Sequence, residues 1–348
     1  MMKKALKYIG KGLLIVFTVL AWVVIVLAMT IRIICFGPST EARNLFVTTM
    51  LETGQLKWVV GLFMSDEQVM EIVNANSMVV MEEDSDASLI TVAEGEEAVE
   101  YPELVVEKVA GDNFSGTMMI VRDPSRVFVG TIYPWGEYGK ELHEIVESYG
   151  AVAGINGGLY ASYMNTGGRP IGPVVSQGEI QNMAELETVG LVLIGLSEDH
   201  ILHIIDIAGK GRAEVEAIIA DNRIRDAICF QEEASDANNH FVKLIINGER
   251  REMNGLGSGA NPRTAIGQTA DGRILLFVTD GRGANGHLGA TASDLISVME
   301  QYGAVNAANL DGGSSSSMYY DGEYLRTSVT FYYNNSSWKL PTTILVRP

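Results

Sequence analysis

The stretch TASDLISVMEQYGAVNAANLDGGSSSSM, Thr291–Met318, carries the pattern that decides the fold. Its first half is amphipathic with helical spacing, and Thr291 or Ser293 stands where a helix cap belongs. The short apolar run behind Tyr302 predicts a buried strand that leaves the sheet at Asn309-Leu310-Asp311-Gly312-Gly313. Nearly the same phrase occurs earlier, where KELHEIVESYG precedes AVAGINGG and ends at Asn156-Gly157-Gly158. Ungapped from Tyr149 and Tyr302, Asn156 aligns with Asn309, and only the second copy adds Leu310-Asp311. The repeat predicts two helix–strand units lying close in one sheet and delivering their exits to one pocket.

Between and around these units the chain is written in short β-rich runs broken by Gly, Pro and Asp. GTMMIVRDPSRVFVGT, Gly116–Thr131, predicts two strands around an Asp123-Pro124-Ser125 hairpin-type turn. Further strands are expected within residues 171–180, 190–196, 200–207, 241–248, 263–269, 273–281 and 342–348. Many strands with a few interspersed helices indicate an α+β or mixed α/β domain built on one large mixed sheet with a few packed helices. That domain is expected over residues 101–348. Residues 35–100 read as a helical, then acidic, juxtamembrane stalk. Pro38 to about Asn76 carries helical spacing and a Ser65-Asp66-Glu67 start signal, and the boundary falls near Glu100.

The N-terminus predicts a membrane anchor. Lys3, Lys4, Lys7 and Lys11 form a basic segment over residues 1–12, and Leu13 to Ile31 runs without a charge. With Ile33 and Ile34 beyond Arg32, residues 13–34 suffice for one crossing at about 20 residues per span. The run is longer than the apolar part of an ordinary signal peptide, and no small-x-small cleavage site follows. Lysines before the span and none immediately after it place the N-terminus in the cytoplasm and the remainder outside, a single-pass cell-surface arrangement.

Five of the 25 basic residues precede Glu41 and none of the 43 acidic ones does, so the remainder carries 20 basic against 43 acidic residues. Such a surface excludes nucleic acid as a partner, because phosphate contacts need a basic face. Cys35 and Cys229 are too far apart in context to suggest a disulfide framework. Asn113-Phe-Ser115 and Asn334-Asn-Ser336 match glycosylation sequons, a short pattern that arises often by chance.

Four strand exits concentrate polar groups beside glycines: Asn156-Gly157-Gly158, NPRTAIG (Asn261–Gly267), TDGRGANG (Thr279–Gly286) and NLDGGSSSSM (Asn309–Met318). Each alone reads equally well as an ordinary turn; together they read as one site. Asp280 and Asp311 are the candidate catalytic carboxylates. Arg263 and Arg282 are the candidate anion clamps, since guanidinium offers a planar fork to phosphate oxygens. A lone His287 in a glycine-rich loop gains no role from the sequence. The aspartates leave room for a divalent cation such as calcium, but no ligand spacing compels one, and no other cofactor is implied.

Two tempting motifs fail. GRGANG, Gly281–Gly286, fits G-x-G-x-x-G, but a dinucleotide fingerprint opens its helix inside the glycine run, and here HLGATAS intervenes. Ser314–Ser317 lacks G-x-S-x-G and an identifiable triad partner, so it suits an anion cradle better than a nucleophile.

Taken in order, IVRDPSRVFV, GINGGLY, RPIGPVVSQGEI, LIINGE, NPRTAIGQTADGRILLFVTDGR, ASDLISVMEQYGAVNAANLDGGSSSSM and PTTILV resemble the phosphodiester glycosidase family over about Gly111 to Pro348. Two departures stand out. Ser314 follows Asp311-Gly312-Gly313 where the family often has a third glycine, and Lys339-Leu340-Pro341 stands where an Arg is often found before the last strand. The resemblance implies a hydrolase that cleaves the sugar C1–O bond of glycosyl phosphodiesters, here in cell-wall or exopolysaccharide polymers. The alternative is a non-catalytic surface module that binds phosphorylated glycans. It implies Asp280 and Asp311 as the carboxylate pair and Arg263, with Arg282, on the phosphate. Asn156, Thr264, Asn309 and Ser314 would hold sugar or phosphate oxygens, with the amides of Gly157, Gly158, Gly312 and Gly313.

Overall fold

A computed structural model describes residues 2–53, 56–92, 104–162, 165–233, 240–328 and 336–348. The expected boundary near Glu100 and the asparagines of the second sequon lie outside the described residues.

Elements are numbered in chain order. A seven-stranded sheet runs β1 (Leu104–Ala110), β2 (Ser115–Val121), β15 (Ile274–Thr279), β14 (Thr264–Thr269), β16 (Ala304–Asn309), β12 (Lys243–Ile246) and β13 (Glu249–Arg250). A five-stranded sheet runs β10 (Leu202–Asp206), β9 (Leu191–Ser197), β11 (Ile224–Gln231), β7 (Val174–Ser176) and β8 (Glu179–Asn182). A second one runs β18 (Glu323–Thr327), β17 (Ser317–Tyr320), β4 (Ala153–Asn156), β19 (Thr342–Val346) and β3 (Val127–Thr131), and β5 (Tyr160–Ala161) pairs with β6 (Arg169–Pro170).

The α+β class stands, but the expected single mixed sheet is three main sheets, with antiparallel pairing between the described strands. The cause is a shared interior. Ile274, Leu276 and Val278 of β15 face a core that also takes Val129, Ile155, Ile194, Ile228 and Ile344 from the other two sheets. Leu275 and Phe277, one residue out of phase, face a second core with Leu295, Ile296 and Met299 of α7 (Ala292–Gln301). Strands buried on both faces read as continuous apolar runs, and such runs do not say which sheet they join.

The Asp123-Pro124-Ser125 turn is likewise not a hairpin. It is a 3-10 turn that sends β2 into one sheet and β3 into another, where β3 pairs with β19. α5 (Leu142–Ser148) and α6 (Arg212–Asp221) cover the outer faces of the two five-stranded sheets. Thr291 caps α7 as expected, accepting from Asp294 N while the Asp294 carboxylate accepts from Thr291 N.

The N-terminal helix α1 spans Met2–Phe36. Its part Tyr8–Phe36 is 29 residues long and contains an 18-residue window with a mean hydropathy of 2.9, long and apolar enough to cross a membrane. Gly37-Pro38 ends it, and Ser39 caps α2 (Thr40–Glu52), which is followed by α3 (Lys57–Gly61) and α4 (Asp66–Asn74). Cys35, Val47, Leu51, Val60, Met64 and Ile72 form a small core among these four helices. An extended strap then crosses onto the sheets. Lys243, 2 % exposed, donates from Nζ to the carbonyls of Glu82 and Glu83 and to Asp84 Oδ1, holding the strap down.

Candidate active site

Strand register collects the polar exits at one end of the seven-stranded sheet. Gly116 at the start of β2 lies opposite Thr279 at the end of β15, and Thr264 at the start of β14 lies opposite Val278. Asn309, ending β16, lies opposite Ala265. Ser115, Arg263, Asp280 and Asn309–Asp311 therefore share one edge. The second five-stranded sheet abuts it, with Asn156 opposite Thr343 and Ser317 opening β17.

Asn156 stitches the two sheets. Its Oδ1 accepts from Thr264 Oγ1 at 2.8 Å and from Ser317 N at 3.1 Å, and its Nδ2 donates to the Asp311 carbonyl at 2.6 Å. The side chain is fully buried and its amide is engaged with protein. The two YGAV units thus end in different sheets, not side by side in one, yet their exits meet: the Asn of the first holds the Asp turn of the second. Asn309 is also buried; Nδ2 donates to Phe241 O, whereas Oδ1 has no protein partner.

Asp311 is only partly exposed, and loss of hydration pushes its carboxyl up to about 6. Hydrogen bonds from Ser315 and the Gly312 amide, and the positive charge of Arg282, oppose that rise. The Tyr160 hydroxyl lies 2.8 Å from Ser315 Oγ, and its acidity is suppressed by burial and then by the neighbouring Asp311 charge. Arg282 donates from Nη1 to Ser314 Oγ at 2.7 Å, while its buried Nε has no protein partner. Desolvation and the nearby Arg263 lower the Arg282 pKa, and Asp311 offsets part of this. The residue sits at φ +55°, followed by Gly283 at φ +88°, a left-handed pair that turns the guanidinium back over the Asp311 loop.

Asp280 is 3 % exposed and faces protein rather than solvent. Oδ1 accepts from Ser115 N at 2.8 Å, and Oδ2 lies 2.9 Å from His287 Nδ1 and 3.6 Å from Arg326 Nη1. A carboxylate on Nδ1 fixes the tautomer and leaves Nε2 as the free acceptor, in a side chain 29 % exposed. Arg326 is braced by Thr117 Oγ1, Ser115 Oγ and Gly116 O.

Arg263 occupies a different setting from the open phosphate clamp expected. Its Nη2 donates to Glu52 of α2, to Ser258 Oγ and to Gly259 O, and its guanidinium lies 5.1 Å over the Phe241 ring. The Glu52 side chain is 4 % exposed and also accepts from Gly259 N and Asn261 Nδ2. The glycine pairs serve close packing as much as ligand approach. A Cβ on Gly157 would sit 2.6 Å from Thr342 O, and one on Gly158 2.3 Å from Cys229 O. The Gly158 amide donates to Thr342 Oγ1 and the Gly313 amide to Pro262 O. Among the described residues no group of three or more His, Cys, Asp or Glu side chains is arranged to hold a metal ion.

Sequence reasoning missed Glu52, Tyr160, Arg326 and the pairing of His287. Tyr160 closes the GINGGLY phrase and was within reach; Glu52 and Arg326 come from segments with no local signal.

Mouse N-acetylglucosamine-1-phosphodiester alpha-N-acetylglucosaminidase is 25 % identical over 256 residues, covering 68 % of this chain and 45 % of that protein. The SPbeta prophage-derived protein YomE of Bacillus subtilis (strain 168) is 42 % identical over 65 residues, 19 % of this chain and 10 % of that one. The chain spans less than half the length of these curated relatives. The zebrafish N-acetylglucosamine-1-phosphodiester alpha-N-acetylglucosaminidase catalytic domain, solved as auto-inhibited by its pro-peptide, shares the fold. Its TM-score is 0.52 at 17 % identity, covering 76 % of this chain and 88 % of that one. The model of the phosphodiester glycosidase family matches residues 149–347, the span that holds Asn156, Asp280, Arg282 and Asp311, and this chain belongs to that family.

Proposed function

We propose that this chain is a membrane-anchored hydrolase of glycosyl phosphodiesters, its N-terminus cytoplasmic and its catalytic unit, residues 101–348, outside the cell. The observation that carries the reading is the meeting of Asp311, with its raised pKa, and the Arg282 guanidinium, with an unpaired buried Nε–H, at one exit. An unpaired donor in a buried guanidinium is costly unless an acceptor arrives, and a phosphate oxygen is the acceptor its charge favours.

In the reaction, water adds to the anomeric carbon and the C1–O bond breaks. The electron pair leaves on the phosphate oxygen, giving free sugar and a phosphomonoester. A phosphate ester is a good leaving group, so the site needs charge stabilisation and a base more than a strong acid. Arg282 and Ser314 hold the phosphate. Asp311, ionised, faces the anomeric centre, and His287, oriented by Asp280, carries the proton taken from water. Asn156, Thr264 and Arg263 position the turn; the Gly312 amide holds the carboxylate.

The test incubates the full chain in detergent with a panel of nitrophenyl-phospho-sugars and measures free sugar. Release from at least one member is expected. Binding of phosphorylated glycans without release from any member would favour the non-catalytic module and overturn the hydrolase.

A further inference from the structure

The helical segment after α1 is not a loose tether. Glu52 and Thr49 of α2 are built into the loop that leads to Arg263: Gly259 N and Ala260 N donate to them at 2.6 and 3.0 Å. A Cβ on Gly259 would lie 2.6 Å from the Thr48 backbone, so loop and helix touch directly. Arg263 in turn lies beneath Gly312, next to Asp311. The path from Phe36, where the apolar helix ends, to this edge is one short connector, residues 37–39, and one 13-residue helix. At 1.5 Å per helical residue and about 3.4 Å per extended one, its contour is about 30 Å, an upper bound on the separation. A free chain over residues 35–100 would instead reach on the order of 200 Å.

The same helical unit turns apolar residues outward beside the end of α1. Trp58 is 63 % exposed, Leu62 67 % and Met70 50 %, in elements whose other faces share a core with Ile31 and Cys35 of α1. Trp beside Lys57, continuous with a membrane-length helix, is the composition of the bilayer interface.

We propose that the substrate is a lipid-borne glycosyl phosphodiester, met at the bilayer surface, and that Trp58 and Leu62 seat the site against that surface. This rests on the hydrolase and anchoring readings above. The Glu52 end of α2, on which the site rests, stands no more than about 30 Å from the end of α1, while confinement to one membrane raises the effective substrate concentration to the millimolar range. Hydrolysis of such an ester yields free sugar and a lipid phosphate, with water as the only co-reactant.

The experiment reconstitutes the full chain in vesicles of phosphatidylethanolamine and phosphatidylglycerol. Sugar release is compared for a long-chain alkyl phosphodiester in the same vesicles, the same ester in separate vesicles, and a short-chain soluble ester. Release from the shared vesicle is expected to exceed the other two arms at least about tenfold at equal total substrate. Trp58→Ser with Leu62→Ser is expected to raise the apparent KM for the vesicle-borne ester and leave soluble-ester turnover unchanged. Equal rates in the three arms, or a double variant indistinguishable from the parent on vesicles, would overturn the lipid-borne substrate and leave the hydrolase intact. No release in any arm, with the soluble panel also silent, would overturn both.

Discussion

In the proposed reaction the ionised Asp311 carboxylate serves the anomeric centre. If its ionised carboxylate serves the reaction, kcat/KM should rise as pH climbs through about 6 and level off above, the limb being set by its raised pKa. Asp311→Asn should lower kcat by on the order of a thousandfold with little change in KM; a variant that retains full turnover would remove Asp311 from the site. Stability should move the opposite way with pH. Between the unfolded value near 4 and the folded value of about 6, the native state binds more protons than the unfolded state. This group therefore favours folding most at low pH, and that contribution is lost as pH rises through about 6. Thermal melts of the parent and Asp311→Asn should show the variant gaining relative stability at pH 7 over pH 4. Arg282→Gln should cost about ten- to a hundredfold in kcat/KM for a phosphodiester, the weight of one or two charge-assisted hydrogen bonds; an unchanged kcat/KM would place the phosphate elsewhere.

At the scale of elements, the repeat was legible and its consequence only half so. Each unit does form a helix, a strand and a glycine exit, because cap, amphipathic spacing and glycines are local signals. That β4 and β16 belong to different sheets depends on which core each strand faces, and strands apolar on both faces carry no such label. Asp280, Asp311 and Arg282 were visible as charged residues at strand ends. Arg263 was visible too, but its partner Glu52 lies 211 residues away, and no spacing rule reaches across such a separation. That contact makes α2 part of the site's foundation. Glu52→Ala would leave Arg263 buried without its carboxylate, a loss of about 3 kcal/mol in unfolding free energy by denaturant titration. Loss of less than about 1 kcal/mol would mean that Ser258, Gly259 and Phe241 suffice to hold the guanidinium.

At the scale of the molecule, three sheets share one core, two of them turn their polar ends to a common seam, and a helical unit joins that seam to an apolar helix of membrane length. Protease added to intact spheroplasts should degrade the part after α1 and spare the lysine-bearing N-terminus; protection of the larger part would reverse the proposed orientation. The central claim is hydrolysis at the sugar C1–O bond, and it is tested most directly by turning over a glycosyl phosphodiester with the full chain in water labelled with heavy oxygen, then weighing the released phosphomonoester. The expected product is free sugar with a phosphomonoester that carries no label. Label in the phosphomonoester would mean cleavage at phosphorus, and would contradict both Asp311 at the anomeric centre and Arg282 on the departing phosphate.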